Sequence, residues 1–279
     1  MTELTALYQH YSKPLHCKPT GIDPVLPHLP EVKVVIFDIY GTLVISGSGD
    51  IGTSMANLRE SYARQALQAL RPDLSLPSDV SLTAALTQGI LIAHQEAKAQ
   101  GVAYPEIDIR EQWAPLLAPY GAFTTGEVEQ FATIYESLSN PVWPMPYATE
   151  TLQELTQRGI SIGLISNAQF YTPVLLDTFF PASQIAPELS LYSYQHRQAK
   201  PGLYLFDQLA RTLRQNGVSP AEVLLVGNDM RNDIAPAQRI GFRTALVASD
   251  LRSYRPRPEE GYPPADATLT CLSQLRQIL

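Results

Sequence analysis

The stretch that most constrains this chain is a short apolar run ending in an acid. Val34, Val35, Ile36 and Phe37 have the length and β-branched, aromatic character of a buried strand, and Asp38 follows at once. Gly41 then permits a sharp turn, having no Cβ to clash at positive φ, and Thr42 offers a hydroxyl just beyond it. A carboxylate at such a strand end either braces the turn or works in a site. In an open parallel sheet, ligands bind at the carboxyl ends of the strands, which would place Asp38 in the crevice.

The rest of the chain decides what kind of sheet this is. From Tyr147 onward, helical and strand patterns alternate: helix 148–158, strand 160–165, helix 171–180, strand 189–194, helix 203–215, strand 223–226, helix 233–240 and strand 244–247. Such alternation implies right-handed βαβ units on a parallel sheet. Between the first strand and this series, residues 53–144 show only helical periodicity punctuated by prolines. Helices are expected from Thr53 and over 79–100, 108–118 and 125–138. The fold class is therefore α/β, a Rossmann-like parallel sheet core carrying an inserted all-helical cap domain. The expected division is a Pro-rich arm over 1–30, a core of 31–45 plus 146–279, and a cap over 46–145.

Residues 1–30 carry Pro14, Pro19, Pro24, Pro27 and Pro30, which argue against a sustained helix or central strand there. Tyr8 and Tyr11 suggest that this arm packs against the body. Residues 140–146, with three prolines, suggest a semi-rigid extended return from the insertion. Gly47, Gly49 and Gly52 formally spell G-x-G-x-x-G, but nine residues separate them from Phe37 and no second strand with a terminal acid follows. They are read as a hinge from Gly47 to Gly52.

Each later strand ends in particular polar residues: Ser166 and Asn167 after the second, Lys200 before a helix, and Asn228, Asp229 and Asp233 after the strand at 223–226. Together with Asp-x-x-Gly-Thr-Leu at residues 38–43, this ordered set resembles the motifs of the haloacid dehalogenase-like (HAD) hydrolase superfamily over roughly residues 31–279. The resemblance implies a hydrolase with Asp38 as nucleophile and a covalent intermediate that water later hydrolyses. Lys200, Ser166 and the amides of the turn after Asp38 would compensate the anion, with Thr42 and Asn167 beside them. It further implies Mg²⁺ held by Asp38, the main-chain carbonyl of Tyr40 and an acid of the last motif. Asn228 stands where many members carry that first acid, so Asn228, Asp229 and Asp233 all remain candidate ligands.

One departure matters. Phosphatases of the family usually carry a second Asp two residues after the nucleophile as general acid and base, and here that residue is Tyr40. Losing such a catalyst costs about 10² to 10⁴ in rate, so a substrate with a good leaving group would suffer least. The form Asp-x-Tyr-Gly-Thr is that of the 2-haloacid dehalogenases. Yet the last motif here is acidic, and only position suggests Arg59 or Arg64 as a substrate-binding arginine. Three readings follow, in order: a Mg²⁺-dependent phosphatase acting on a small phosphorylated metabolite, and so on a small anionic substrate; a 2-haloacid dehalogenase-type hydrolase; and a ligand-binding member with little turnover. Tyr62, Gln65, His94 and Trp113 in the insertion, and His196 near Lys200, are candidate substrate contacts.

Composition narrows the partners. A net charge of -7 argues against a nucleic-acid footprint, which needs a basic face. No apolar run approaches the roughly 20 residues that span a bilayer, and the N-terminus lacks a basic, apolar signal pattern. A cytoplasmic protein is expected, with no membrane or nucleic-acid partner. Cys17 and Cys271 form no ligand spacing and read as reduced thiols. His10, His16, Cys17 and His28 match no zinc pattern.

Overall fold

The computed structural model describes residues 3–47, 55–180 and 185–279. Its centre is a six-stranded, wholly parallel sheet in the order β5-β4-β1-β6-β7-β8: β1 Val34–Phe37, β4 Ser161–Ser166, β5 Ser190–Tyr192, β6 Val223–Gly227, β7 Arg243–Val247 and β8 Ala267–Leu269. The chain builds outward from β1 through β4 to β5, then crosses back to β6 and continues to β8. The reversal falls beside β1, and a sheet of this kind opens its ligand crevice there, at the carboxyl ends.

β1 sits in the middle because it is apolar on both faces, as a strand covered on both sides must be. Val35 and Phe37 join the core cluster on one face with Leu224 and Val226, while Val34 and Ile36 join the cluster on the other with Val223 and Leu225. That split is the two-residue period of a strand. Burying each such side chain contributes about 1.5–3 kcal/mol, so the position from which Asp38 projects is strongly fixed.

Helices cover the sheet: α6 Ala148–Gln157, α7 Tyr171–Phe179, the single turn α8 Ser193–His196, α9 Tyr204–Gln215, α10 Ala235–Ile240 and α11 Leu275–Ile278. Between them the chain carries a helical insertion: α2 Met55–Leu70, α3 Leu82–Ala99, α4 Ile109–Leu117 and α5 Thr125–Ser139. The starts of three are dictated locally. Ser81, Asp108 and Thr124 each cap the first turn, and Thr124 forms a reciprocal capping box with Glu127. The insertion leaves and returns through a small antiparallel pair, β2 Val44–Ser46 with β3 Val142–Pro144. The proline-rich return is thus extended as expected, with a strand at its centre. Of the expected hinge, Gly47 is described and the remainder lies outside the described residues.

The N-terminal arm corrects one expectation. A nine-residue helix, α1 Glu3–Tyr11, forms ahead of the first proline and packs on α5 and α7, with Tyr8 fully buried. Proline forbids helix only where it stands, and none stands before residue 14. The remainder of the arm runs extended, and Val25 exchanges two main-chain hydrogen bonds with Thr268 at the outer strand. It thereby covers an edge that would otherwise be open. Among the described residues no helix is long and apolar enough to cross a membrane.

Candidate active site

Asp38 continues β1 at the sheet's carboxyl end, its amide donating to Val226 O at 2.9 Å. The turn after it is tight. Gly41 has φ 88°, and a Cβ there would lie 2.5 Å from the Cβ of Ser253 and 2.8 Å from Asn228 Nδ2, so only glycine fits. The amide of Gly41 donates to Val44 O, and those of Thr42, Leu43 and Val44 donate to Ile39 O. This corrects the expectation that the turn's amides serve a substrate, because four of them are committed within the turn. Ile39 and Tyr40 are the turn residues whose amides it does not use.

The carboxylate of Asp38 meets groups from two other strand ends. Lys200 Nζ donates to Asp38 Oδ1 at 2.8 Å and to Asp233 Oδ1 at 2.5 Å, and Ser166 Oγ donates to Asp38 Oδ1 at 3.0 Å. The other oxygen of Asp38 is left for chemistry. Lys200 is held from behind: Asn167 Nδ2 donates to Lys200 O and Lys200 N donates to Asn167 Oδ1, at 3.0 and 2.7 Å. Burial alone would lower the Lys200 ammonium, but Asp233 and Asp38 raise it well above its ordinary value. It therefore stays charged across the working pH range.

Asp233 completes the arrangement. Its Oδ2 accepts from the amides of Asn228 and Asp229 at 3.1 and 3.0 Å, stapling the turn after β6, while Oδ1 takes Lys200. Burial pushes this carboxyl up, Lys200 pulls it back, and Asp38 adds to the rise. The three donors on its two oxygens favour the ionised form against that rise. Thr42 Oγ1 donates to Asn228 Oδ1 at 3.2 Å, and Asn228 Nδ2 donates to Ser253 O at 2.6 Å.

Asp229 is placed differently from the others. Arg257 grips it with two hydrogen bonds, Nε to Oδ1 at 2.7 Å and Nη2 to Oδ2 at 2.8 Å, and the Arg231 amide and Asn232 Nδ2 add one each at 2.9 Å. Burial would raise this carboxyl, but Arg257 and those donors hold it below the ordinary carboxylate value. Neither Arg257 nor Ser253 was legible as a site residue. Both lie in the loop after β7 without a recognisable spacing.

Tyr40 departs in direction as well as in type. Its hydroxyl lies 2.9 Å from Thr172 Oγ1 on α7, and burial, reinforced by Glu136, pushes its pKa far above the ordinary phenol value. At neutral pH it is a poor acid. Asp38, Tyr40, Ser166, Asn167, Lys200, Asn228, Asp229 and Asp233 nonetheless line one cavity of about 160 Å³, with Asn232 as a further member. Thr42 stands behind it, on Asn228.

Among the described residues lining this cavity, the groups that could take a cation are oxygens: the carboxylates of Asp38 and Asp229 and the Asn228 amide oxygen. Three carboxylates against Lys200 and Arg257 leave one negative charge in excess. Hard oxygens with residual negative charge fit Mg²⁺, which keeps several waters and needs few protein ligands. Among the described residues no three acidic, histidine or cysteine side chains converge on one point, so main-chain and amide oxygens would have to share the work.

Of the outlying candidates, Trp113 and Arg59 line a second cavity, between the insertion and α7, which Tyr62, Gln65 and His94 do not line. Arg64 is a scaffold residue, its guanidinium donating to the carbonyls of Leu76, Pro77 and Val80. His196 packs against Tyr204 and does not line the cavity at Asp38.

Comparison with known proteins agrees with this geometry. The family described as haloacid dehalogenase-like hydrolase matches residues 32–241. A glyceraldehyde 3-phosphate phosphatase of Methanothermobacter thermautotrophicus is 28% identical over 171 residues, 59% of this chain and 67% of that protein. Two crystal structures share the fold. A 2-haloacid dehalogenase from Pseudomonas syringae pv. Tomato DC3000 gives TM-score 0.55 and 20% identity over 88% of this chain and 97% of that one. A HAD phosphatase from Thermococcus onnurineus gives TM-score 0.50 and 18% identity over 88% and 97%. Phosphatases and dehalogenases thus stand side by side among its structural relatives. With the strand that carries Asp38, the buried Lys200 and the acidic turn after β6 all inside the matched span, the chain belongs to the haloacid dehalogenase-like hydrolases.

Proposed function

We propose that this hydrolase is a Mg²⁺-dependent phosphatase acting on a small phosphorylated metabolite, with residues 46–145 serving as a cap over the site. The observation that carries the reading is the Asp38–Lys200–Asp233 chain set in a cavity whose remaining donors are hard oxygens. The resemblance to a glyceraldehyde 3-phosphate phosphatase supports the same class of substrate.

In this reading the free oxygen of Asp38 attacks phosphorus, forming an acyl phosphate as the bond from phosphorus to the leaving oxygen breaks. Lys200 and Ser166 fix the carboxylate's rotamer through its other oxygen and, with the Ile39 and Tyr40 amides, face the equatorial phosphoryl oxygens. Asn167 keeps Lys200 from swinging away. A bound Mg²⁺ would neutralise charge on the phosphoryl group. Asp38, the Tyr40 carbonyl and Asn228 are proposed to hold it; Asp229, occupied by Arg257, would act through water, and Asp233 would brace Lys200 and the turn. Water then cleaves the acyl phosphate at phosphorus, returning Asp38. Because Tyr40 is a weak acid, the departing oxygen takes its proton from solvent, which favours substrates with good leaving groups.

A dehalogenase reading is supported by that same tyrosine and by Arg257, which satisfies Asp229 without a metal. A panel of phosphoesters, acyl phosphates and 2-haloacids, each with Mg²⁺ and with chelator, separates the readings. Phosphate release abolished by chelator is the expected result. Halide release indifferent to chelator would replace it, and no turnover on either panel, with Asp38→Asn inert, would leave a ligand-binding member.

A further inference from the structure

The cavity at Asp38, about 160 Å³, falls short of the roughly 300–1,000 Å³ of small-molecule sites, so the rest of a substrate must lie beyond it. The cavity between the insertion and α7, where Glu136 stands with Trp113, shares no lining residue with it. A third cavity, about 430 Å³, does share one: Asn232 lines both. The chain crosses the same boundary a second time, since Lys200 lines the catalytic cavity and Pro201 the third one. Tyr104 brings the insertion to this place. Its carbonyl accepts from the Ala199 amide at 2.8 Å, and its ring stands so near Gly202 that a Cβ there would lie 3.1 Å from it.

The lining of the third cavity carries two arginines, Arg231 and Arg239, and no acid among the described residues. Glu260, which does not line it, is already engaged. It accepts from Arg231 Nε at 2.8 Å and from the Tyr262 hydroxyl at 2.6 Å, and pairs with Arg257 at 3.5 Å, so it fixes two of the lining side chains. Glu260 and Asp229 thereby balance Arg231 and Arg257. Arg239, in the last turn of α10, forms no ion pair or side-chain hydrogen bond among the described residues. One positive charge is left over. Arg231, Arg239 and Tyr104 are exposed, so a ligand meets them without disturbing the core.

We propose that the third cavity receives a second anionic group of the substrate, with Arg239 as its principal cation and Arg231 beside it. The substrate class is a phosphomonoester whose leaving group carries a carboxylate or a further phosphate. Its reacting phosphoryl end rests on the phosphatase reading; the second anion stands on this cavity. Guanidinium groups match both anions with paired, charge-assisted hydrogen bonds. A cationic tail would meet like charge here, and a neutral one would leave Arg239 unpaired. Selection is then shared, because Tyr104 belongs to the insertion and both arginines to the core.

The test compares 3-phosphoglycerate with glycerol 3-phosphate, which lacks the carboxylate, and with glycerol 1,3-bisphosphate, which supplies a phosphate instead. At low salt, kcat/KM for one or both of the esters with a second anion should exceed that for glycerol 3-phosphate about fivefold or more, as an exposed charge contact can supply. Whichever ratio is larger names the anion. Raising the salt should shrink it, because exposed charges are screened. Arg239→Met should bring the ratio close to one, through KM more than kcat, and Arg239→Lys should retain part of it. Calorimetric titration of Asp38→Asn with the same esters reads the cavity without turnover, and the same preference should appear in Kd. Equal kcat/KM and equal Kd for the two kinds of ester, or a preference unchanged in Arg239→Met, overturns the inference and leaves the phosphatase reading intact. A preference in Kd that is lost in Asp38→Asn/Arg239→Met, with no ester turned over by the wild type, keeps the anion site and removes the phosphatase reading. Binding and turnover of no ester removes both.

Discussion

The two cavities solve opposite problems. Around Asp38 every carboxylate has a cationic partner: Lys200 serves Asp38 and Asp233, and Arg257 serves Asp229. Around Glu136 the partners are an amide and a phenol, and the buried indole Nε1 of Trp113 has no hydrogen-bond partner. The first region is organised before anything binds, as chemistry at a developing charge requires. The second holds a carboxyl that burial pushes up, with an amide and a phenol as its hydrogen-bond partners and Arg59 lining the same cavity. Under the proposed function the sheet carries the reaction and the insertion the selection, so changes in each should fail in different ways.

The largest effect is expected at the nucleophile. Asp38→Asn keeps the shape of the site and should lower turnover at least about 10⁴-fold, measured as phosphate release under saturating substrate. Lys200→Met comes next and should fail in two respects. It strands Asp38 and Asp233 without a cation, so unfolding in urea should show a loss of about 3–5 kcal/mol with an unchanged slope. Turnover of the folded fraction should drop about 10²- to 10³-fold. If Lys200→Met is as stable as the wild type, the preorganised half of the comparison is wrong.

Smaller effects should mark the boundary between the regions. Tyr40→Phe removes the hydroxyl that meets Thr172, at a cost of about 0.5–1.5 kcal/mol in thermal or urea unfolding. Its kcat should stay within about threefold, because the phenol does not act as the acid; a fall near 10²-fold would give Tyr40 a proton-transfer role. Glu136→Gln should alter stability least, and in an unusual direction. The folded chain holds the Glu136 proton to higher pH than the unfolded chain, so wild-type stability declines as pH rises from the ordinary carboxylate value through the raised one. Glutamine has no such decline. Melting curves from pH 4 to 7 should therefore show the variant gaining on the wild type as pH increases; a variant that loses ground would contradict a burdened Glu136.

What the sequence disclosed follows from how local each signal is. Asp38, Ser166 and the Asn228–Asp233 turn were legible because each follows an apolar run, and strand ends of a parallel sheet share one crevice; Lys200 was legible only from its place before a helix in the ordered set. The helix over Thr125–Ser139 was legible, as 125–138, from the helical pattern and the prolines that punctuate the insertion. The helix over Glu3–Tyr11 was hidden by the prolines that follow it, and β8 is only three residues long. Arg257 and Glu136 were invisible for a deeper reason. One is a loop arginine and the other an acid on an amphipathic helix, both ordinary surface residues until the fold brings Asp229 or Tyr171 to them. The direction of Tyr40 was likewise decided by Thr172, a residue 132 positions away.

The most direct test of phosphoryl transfer through Asp38 is a single turnover in H₂¹⁸O, followed by mass spectrometry of both the product and the peptide containing residue 38. Attack of water at phosphorus should put the heavy oxygen in the released phosphate and leave the Asp38 carboxyl unlabelled. Heavy oxygen in the Asp38 carboxyl, accompanied by halide release from a haloacid, would mean an ester hydrolysed at carbon and would contradict the account.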